Sequence, residues 1–479
     1  MKVLLTVPPY NFSEFYPSYM ARKSRMDKGF GLVPGATEPL GLLYIASFLK
    51  KGGHEVWVID SIFSSTEDTI RFIRDKDPGI LGVTIISFSW ERAKVFLSEI
   101  KHNFPGLLTI VGGPFPTAWQ EKCLQESPHI DFACIGEGEH IMRQLCGCLE
   151  NGGEPGKIKG LIWRDKSGTV IKNEYAPLLE DLDELPFPQR SLVDMGRYSP
   201  SIGFYKRLPN ATIVGSRGCS HSCLFCHTQT LGPKVRYRSP GNVVDEMQEV
   251  IERHKVRDIL FWDNNLTENR HRIFQICQEI LGRNIKIAWS GNTRADTADE
   301  QTLRIMKKAG CRRLLMGIES GVQKNLDILR KGETIGQIEH AVSLCKKLNI
   351  EIFATFIFGI PGETYEEGLQ TIEFACRLNP EYAKFFTLAC HPGTELFRDI
   401  EKYGVMSSFT AAQSHQNAGF IPYTMKKNDV EKLLNMAYRG FYLRPKYIFM
   451  KILKIRSIED LRQNIRGLAA FINIPRNVN

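Results

Sequence analysis

The hydrophobic positions alternate between two rhythms along most of the chain. Short apolar runs of four to seven residues recur, and between them lie segments with apolar residues three and four apart. The first rhythm marks strands and the second marks helices with one buried face. In residues 1–150 the runs Val3 to Val7, Glu55 to Ile59, Ile80 to Ile86, Leu108 to Val111 and Phe132 to Ile135 predict strands. Leu40 to Lys51, Ser65 to Lys76, Trp90 to Asn103, Ala118 to Glu126 and Glu139 to Leu149 predict the helices between them. Ile80 to Ile86 has no polar alternation, as a strand covered on both faces requires. The pattern predicts an α/β fold, a doubly wound parallel sheet.

Residues 151–210 break this rhythm. Two short apolar runs, Leu161 to Arg164 and Val170 to Asn173, flank Asp165-Lys166-Ser167-Gly168 and predict a hairpin. Asp181 to Pro188 is acidic and proline-rich, so the stretch is predicted to be a linker. From 211 to 400 the strand–helix rhythm returns six times. Strands are predicted at 211–215, 258–262, 285–290, 313–317, 352–358 and 383–389. Helices are predicted at 240–254, 268–282, 299–308, 323–330, 335–348 and 364–377. Six such units make a partial (β/α)6 barrel, smaller than the closed eight-unit form. Residues 401–479 are predicted to form a small, basic, helical region. It has a helix over 429–443 and a capping box at Ser457-Ile458-Glu459-Asp460 opening a further helix.

Composition changes this picture little. Of 479 residues, 43% are hydrophobic and 24% charged, as in a globular protein. No apolar run reaches the roughly 18 residues of a membrane span. Met1 to Val7 runs directly into Pro8-Pro9 and is too short for a signal peptide, which predicts a cytoplasmic protein with reduced cysteines. The net charge of +9 is concentrated at one end. Residues 437–479 hold nine Lys or Arg against Glu459 and Asp460, a net +7. The remainder is nearly neutral, so nucleic acid is not an expected partner. Aromatic and aliphatic residues interleave with the basic ones (Phe441, Tyr447, Phe449). This predicts either a helical lid with solvated charges or a face for peripheral membrane contact.

The candidate chemistry begins at Ser216 to Cys226, SRGCSHSCLFC, directly after the strand at 211–215. Cys219, Cys223 and Cys226 form a C-x3-C-x2-C pattern. Three soft thiolates so close can hold an iron–sulfur cluster. With His221 or His227 as a fourth ligand they can also hold zinc. Other candidates fall where barrel chemistry is expected, at the carboxyl ends of predicted strands. Asp263 follows the second strand. Ser290, Asn292 and Arg294 stand at alternating positions after the third. Glu319, in Gly317-Ile318-Glu319-Ser320, ends the fourth. Gly359-Ile360-Pro361-Gly362 ends the fifth. In the first domain, Pro9 and Tyr10, Ser87 and Ser89, Gly112 and Gly113, and Gly136, Glu137 and Gly138 stand at corresponding ends. Small residues there let a flat ligand approach the backbone.

The cysteine loop and its downstream partners resemble those of radical S-adenosylmethionine (SAM) enzymes. Residues 1–150 resemble the cobalamin-binding domain that precedes the radical domain in one large branch of that superfamily. The resemblance implies a [4Fe-4S] cluster on the three cysteines, with one iron left open for SAM. It implies SAM contacts from Phe225, Asp263, Ser290, Asn292, Arg294, Glu319, Gly359 and Pro361. It implies cobalamin at the strand ends of the first domain. The pattern Asp-x-His-x-x-Gly, which supplies a lower cobalt ligand in other cobalamin domains, is absent: Ser61, Ile62 and Phe63 follow Asp60.

The implied activity is C-methylation of an unactivated carbon of a small-molecule or lipid-like substrate, by SAM cleavage to a 5′-deoxyadenosyl radical and methyl transfer from cobalamin. An electron donor such as flavodoxin or ferredoxin is implied as partner. The alternatives are an oxidative cyclase or carbon–carbon bond-forming enzyme of the same branch, and a non-catalytic cobalamin or metal sensor.

Overall fold

The computed structural model describes residues 1–9, 33–201, 203–227, 232–407, 409 and 418–455. They fall into two compact units, whose main segments are Ala36–Arg197 and Tyr198–Gln229 with Pro233–Asn479.

The first unit is a seven-stranded sheet. Its parallel strands are β1 (Lys2–Val7), β2 (Glu55–Asp60), β3 (Ile80–Thr84), β4 (Leu108–Gly112) and β5 (Phe132–Cys134). The order across the sheet is β2-β1-β3-β4-β5, with Val3 opposite both Val56 and Ile80. This is the doubly wound arrangement, and its direction of winding reverses between β1 and β3. The connecting helices are α1 (Leu40–Lys51), α2 (Thr66–Lys76), α3 (Trp90–Asn103), α4 (Pro114–Trp119), α5 (Lys122–Glu126) and α6 (Gly138–Glu150). Each starts or stops for a local reason. Ser65 and Asp68 form a capping box at α2, and the Gly52 amide closes α1 on the carbonyl of Leu49. Val3, Leu5, Leu42, Leu49, Ile80, Ile110 and Leu145 meet in one buried cluster.

The expected hairpin forms as β6 (Leu161–Arg164) and β7 (Val170–Lys172), turned by the Asp165 carboxylate, which accepts the Ser167 and Thr169 amides. It does not stand apart as a connector. β6 pairs antiparallel with β5, so the sheet is mixed at that edge. Two further details differ from expectation. The third strand stops at Thr84, because Ser89 folds back: its hydroxyl meets both the amide and the carbonyl of Ile86. The helix expected over 118–126 is two shorter ones. The first begins at Pro114, where a proline costs no helical hydrogen bond, and the break is Gln120 at φ 55°.

The second unit is a six-stranded parallel sheet in chain order, formed by β8 (Asn210–Ile213), β11 (Asp258–Phe261), β12 (Ala288–Thr293), β13 (Cys311–Glu319), β14 (Glu351–Phe358) and β15 (Tyr382–Thr387). A two-residue ribbon, β9 (Ser216–Arg217) with β10 (Arg236–Tyr237), follows β8. The helices are α7 (Pro240–His254), α8 (Arg270–Gly282), α9 (Glu300–Lys308), α10 (Gln323–Ile328), α11 (Ile335–Lys347) and α12 (Tyr365–Leu378). Right-handed crossovers between adjacent parallel strands put these helices on one face and leave the other as the inner face of a partial barrel.

The third strand lies three residues later than expected. Ile285 still belongs to the helix end, its amide bonded to the Ile280 carbonyl at 3.0 Å. Ser290 and Asn292 are therefore within β12, and only Arg294 lies beyond it. Beyond the sheet, α13 (Lys427–Tyr442) covers the edge strand β15. The Tyr442 hydroxyl accepts the Ala383 amide and donates to its carbonyl, and Tyr438 pairs with Phe385 in the same way. The open backbone groups of an edge strand are thereby satisfied.

Helix α14 (Pro445–Leu453) ends the described chain, and the expected capping box at Ser457–Asp460 lies outside the described residues. Among the described residues no helix is long and apolar enough to cross a membrane.

Candidate functional site

The cysteine loop leaves the carboxyl end of β8 through a root held from the neighbouring strand end. Asp263 is fully buried. Its carboxylate accepts the Gly215 amide at 2.6 Å and the Ser216 hydroxyl at 2.7 Å, and Arg272 stands 3.9 Å away. Arg272 also donates to the carbonyls of Gly215 and Arg238. The Asn264 amide reaches the Gly218 carbonyl at 2.8 Å. Gly218 has φ 99°, and a Cβ there would collide with the carbonyl of Lys234, so the residue before Cys219 must be glycine. Asp263, expected beside SAM, turns its carboxylate to the loop root.

Inside the loop, Leu224 is buried and pinned by two backbone bonds, to Leu329 and Leu396. The flanking Cys223 and Cys226 remain partly exposed, as does Cys219. Burial pushes the thiols of Cys219 and Cys223 up. The charge of Cys226 adds to both shifts, while Arg294 opposes both and Lys331 opposes that of Cys223. The three thiols and two cations therefore share one electrostatic neighbourhood. Among the described residues no three metal-ligating side chains stand already closed around a metal position. The donor set still fits a cluster: three soft, partly exposed thiols stand on one loop, and Arg294 favours the thiolate form of Cys219 and Cys223. Burial also lowers the pKa of His221 and His227, leaving neutral imidazoles near the loop.

Beside the thiols lies a buried ionic floor. Glu319, the last residue of β13, adopts φ 64°. Its carboxylate stands 3.2 Å from the Lys331 ammonium and accepts the Thr355 hydroxyl at 3.4 Å. A Cβ on Gly317 would collide with that carboxylate and lie 3.0 Å from the ammonium, so the pair fits only over a glycine. Lys331 is also 3.7 Å from Glu333, which accepts the Ala295 amide. Burial opposes the Lys331 charge, but Glu319, Glu333 and Cys223 favour it, and its pKa is raised. Arg294 is fork-paired with Asp296 at 3.0 and 2.7 Å and donates to the Lys331 carbonyl at 2.6 Å. A non-glycine residue held left-handed and a buried cation with two carboxylates are costly features of the kind that collect at working sites.

The other expected residues are placed less uniformly. Phe225 is half-buried against the cluster of Leu329, Ile357, Ile360 and Leu388. Ser290 is fully buried, and its hydroxyl has no hydrogen-bond partner among the described residues. The Asn292 amide donates to the Asp263 carbonyl. Gly359 and Pro361 are buried in a turn closed by Glu363, which accepts the Gly359 amide at 2.7 Å and the Ile360 amide at 3.1 Å. Burial pushes the Glu363 carboxyl up to about 8 against those two amides. A carboxyl whose folded pKa exceeds its unfolded value stabilises the fold at low pH and loses that contribution as pH rises through the folded value. Between pH 5 and 8, stability is therefore expected to fall by up to about 1.4 kcal/mol per unit from this group alone. Glu363→Gln, neutral at every pH, is expected to flatten that slope in denaturant midpoints measured across the range.

In the first unit the candidates gather at the carboxyl ends of β1, β3, β4 and β5, on either side of the winding reversal. Ser87, Gly112, Gly136 and Pro9 are half-exposed there. Tyr10 lies outside the described residues. Ser89 closes its own turn. The Glu137 carboxylate accepts the Leu179 amide at 2.8 Å, and Gly138 opens α6. Small, accessible residues at the reversal fit a flat macrocycle. The end of β2 offers no imidazole, since Asp60 accepts the Ile62 amide within its own turn.

Lys331, Glu333 and Glu363 were not among the expected site residues. In sequence, Lys331-Gly332-Glu333 reads as a solvated loop, and only its burial distinguishes it.

Comparison with known proteins agrees with both units. Residues 213–375 match the model of the radical SAM superfamily, and residues 30–146 match that of the B12 binding domain. An uncharacterised methyltransferase of Pyrococcus horikoshii is 30% identical over 477 residues, 98% of each chain. The anaerobic magnesium-protoporphyrin IX monomethyl ester cyclase of Rubrivivax gelatinosus is 28% identical, covering 87% of this chain and 76% of its own. Among solved structures, the radical SAM methyltransferase TsrM of Kitasatospora setae, with cobalamin and a [4Fe-4S] cluster bound, matches with a TM-score of 0.71. That match spans 98% of each chain at 16% identity, a likeness of fold.

Proposed function

Since the chain belongs to the radical SAM superfamily, in the branch that carries a B12-binding domain, we propose that it methylates an unactivated carbon of a small-molecule substrate. The observation that carries the reading is the loop that follows β8, which presents three partly exposed thiols beyond the carboxyl end of a parallel sheet and is held at its root by Asp263 from the neighbouring strand end. Bound there, the [4Fe-4S] cluster and SAM supply a 5′-deoxyadenosyl radical, and cobalamin supplies the methyl group.

The chain's own residues do the positioning. Cys219, Cys223 and Cys226 hold the cluster, and Arg294 and Lys331 balance its negative charge. Asp263, with Arg272, fixes the angle at which the loop leaves β8 and acts on the cluster through the loop. The buried floor of Glu319, Lys331 and Glu333 excludes water from below the thiols. Phe225 offers a flat apolar face for adenine, and the free Ser290 hydroxyl offers a donor to the inner face of the sheet. In the first unit Ser87, Gly112 and Gly136 let cobalamin approach the backbone. With Ser61, Ile62 and Phe63 after Asp60, that turn would offer a bound cobalamin no imidazole.

A reduced flavodoxin or ferredoxin is the electron source this chemistry asks for. The basic, apolar helix α14, with Phe449 and Ile452 exposed, suits contact with a lipid-like substrate or an anionic membrane.

The test is anaerobic purification with iron and cobalamin supplied, then reduction and addition of SAM. Bound cobalamin and released 5′-deoxyadenosine are the expected results. Bound zinc with intact SAM would overturn the reading. A product heavier by one methylene marks methylation. A product lighter by two hydrogens marks oxidative cyclisation.

A further inference from the structure

Along β15 successive side chains alternate between the two faces of the sheet. Ala383, Phe385 and Thr387 are buried on the helical side, where Phe385 packs with Phe356, Phe358 and Tyr438. Tyr382, Lys384 and Phe386 therefore face the inner side. At Tyr382 that side is filled. Arg313 and Lys451 stand over the ring at 4.4 and 3.6 Å, Phe353 stacks on it, and Arg313 pairs with Glu351. One step towards the carboxyl ends, Lys384 lies opposite Thr355, whose hydroxyl donates to Glu319 in the ionic floor.

Lys384 differs from Arg294, Lys331 and Arg313. Arg294 has Asp296, Lys331 has Glu319 and Arg313 has Glu351. Lys384 has no carboxylate and no hydrogen-bond partner among the described residues. Its ammonium lies over the Phe386 ring, 4.8 Å from the centroid. Burial alone lowers its pKa to about 8, and no neighbouring charge opposes the shift. The side chain is nonetheless half-exposed by area, so it borders open space on the inner face. A desolvated ammonium without a counter-charge is unfavourable for the empty protein. It becomes favourable when an anion arrives.

We propose that Lys384 anchors an oxyanion group of the substrate on the inner face of the sheet, with Thr355 and Phe386 as its immediate surroundings. The inference rests on the reading of this unit as the radical domain, and it narrows the substrate to an anionic small molecule. A phosphate, a phosphonate and a carboxylate share the chemistry that an ammonium recognises.

The test uses the full chain and inorganic phosphate as probe, read by thermal melting against chloride at equal ionic strength. Acetate serves as a parallel arm that separates phosphate-type from carboxylate-type groups. Phosphate or acetate is expected to raise the melting temperature of the parent and of Lys384→Arg. Lys384→Met is expected to weaken anion binding roughly tenfold or more. Without anion, Lys384→Met is expected to melt no lower than the parent, since it removes a partly buried cation with no counter-charge among the described residues; a lysine with only a structural role would give the opposite. An anion response in Lys384→Met equal to the parent's overturns the proposal. A matching loss of SAM affinity overturns it too, because the lysine would then serve the cofactor's carboxylate. Failure of the parent to cleave SAM would count against the radical reading and is scored separately from the anion response.

Discussion

Alanine at Cys219, Cys223 or Cys226 is expected to abolish release of 5′-deoxyadenosine, lowering its rate by more than about three orders of magnitude. The size follows from how the three thiols act. Groups that work as a unit lose nearly everything when one is removed, and two thiolates do not hold a cluster that needs three protein ligands. Partners behind the ligands act more weakly. Changing a residue that only orients a ligand typically costs roughly 10- to 100-fold, and Asp263→Asn is expected in that range. Its carboxylate holds the Gly215 amide and the Ser216 hydroxyl at the loop root and touches no thiol.

Two measurements make the comparison decisive. Iron per chain should fall in each alanine variant and survive largely in Asp263→Asn. Circular dichroism and melting temperature should change little for the cysteine variants, because their thiols are partly exposed and Leu224, not the cysteines, ties the loop to the core. A cysteine variant that keeps both iron and SAM cleavage would remove the central claim. A variant that loses zinc in place of iron would restore the zinc site that His221 and His227 make conceivable.

The architecture was legible in the sequence because its signals are local. Ile80 to Val83 shows no polar alternation and is buried at every position. Ser65 and Asp68 announce α2 three residues apart. The six strands and helices of the second unit lie within a few residues of expectation, with β12 displaced because Ile285 completes a helix end. The cysteine loop was legible through spacing alone.

Other features were not local. Asp263 appears in sequence as an acid at a strand end. That it turns back to Gly215 depends on a contact 48 residues away. The hairpin at 161–172 is plain from its turn, whereas its pairing with β5 depends on which edge was left free. Lys331 and Glu333 resemble any charged loop until the fold buries them, and Lys384 looks like the polar phase of an alternating strand. For Asp263, Lys331 and Glu333 a charge that would ordinarily be solvated is held indoors, and no pattern of neighbours in sequence reports that.

Such a held charge should be expensive to disturb. Lys331→Met is expected to destabilise the protein by about 3–5 kcal/mol, the range found when one partner of a buried pair is removed and the other is left uncompensated. Lys331 and Glu319 side chains are 8% and 9% exposed and stand 3.2 Å apart, with Glu333 fully buried beside them. Removing the ammonium leaves two carboxylates facing each other with only Arg294, 4.0 Å from Glu333, to balance them. Removing both charges should hurt less. The double variant Glu319→Gln with Lys331→Met is expected to recover a substantial part of the loss, giving a coupling on the order of 2 kcal/mol in a double-mutant cycle. Gly317→Ala should resemble the single variant, because its methyl group would collide with the Glu319 carboxylate.

Denaturant midpoints are measured for the parent, Lys331→Met, Glu319→Gln, the double variant and Gly317→Ala. Additive losses would mean that the two side chains are close without being coupled, and the floor beneath the thiols would then owe nothing to their pairing. The same set tests function. If Lys331 also balances the charge of the cluster, Lys331→Met loses iron even under conditions where it remains folded, and the double variant that regains stability does not regain the iron. That separation distinguishes a cation needed by the fold from one needed by the site.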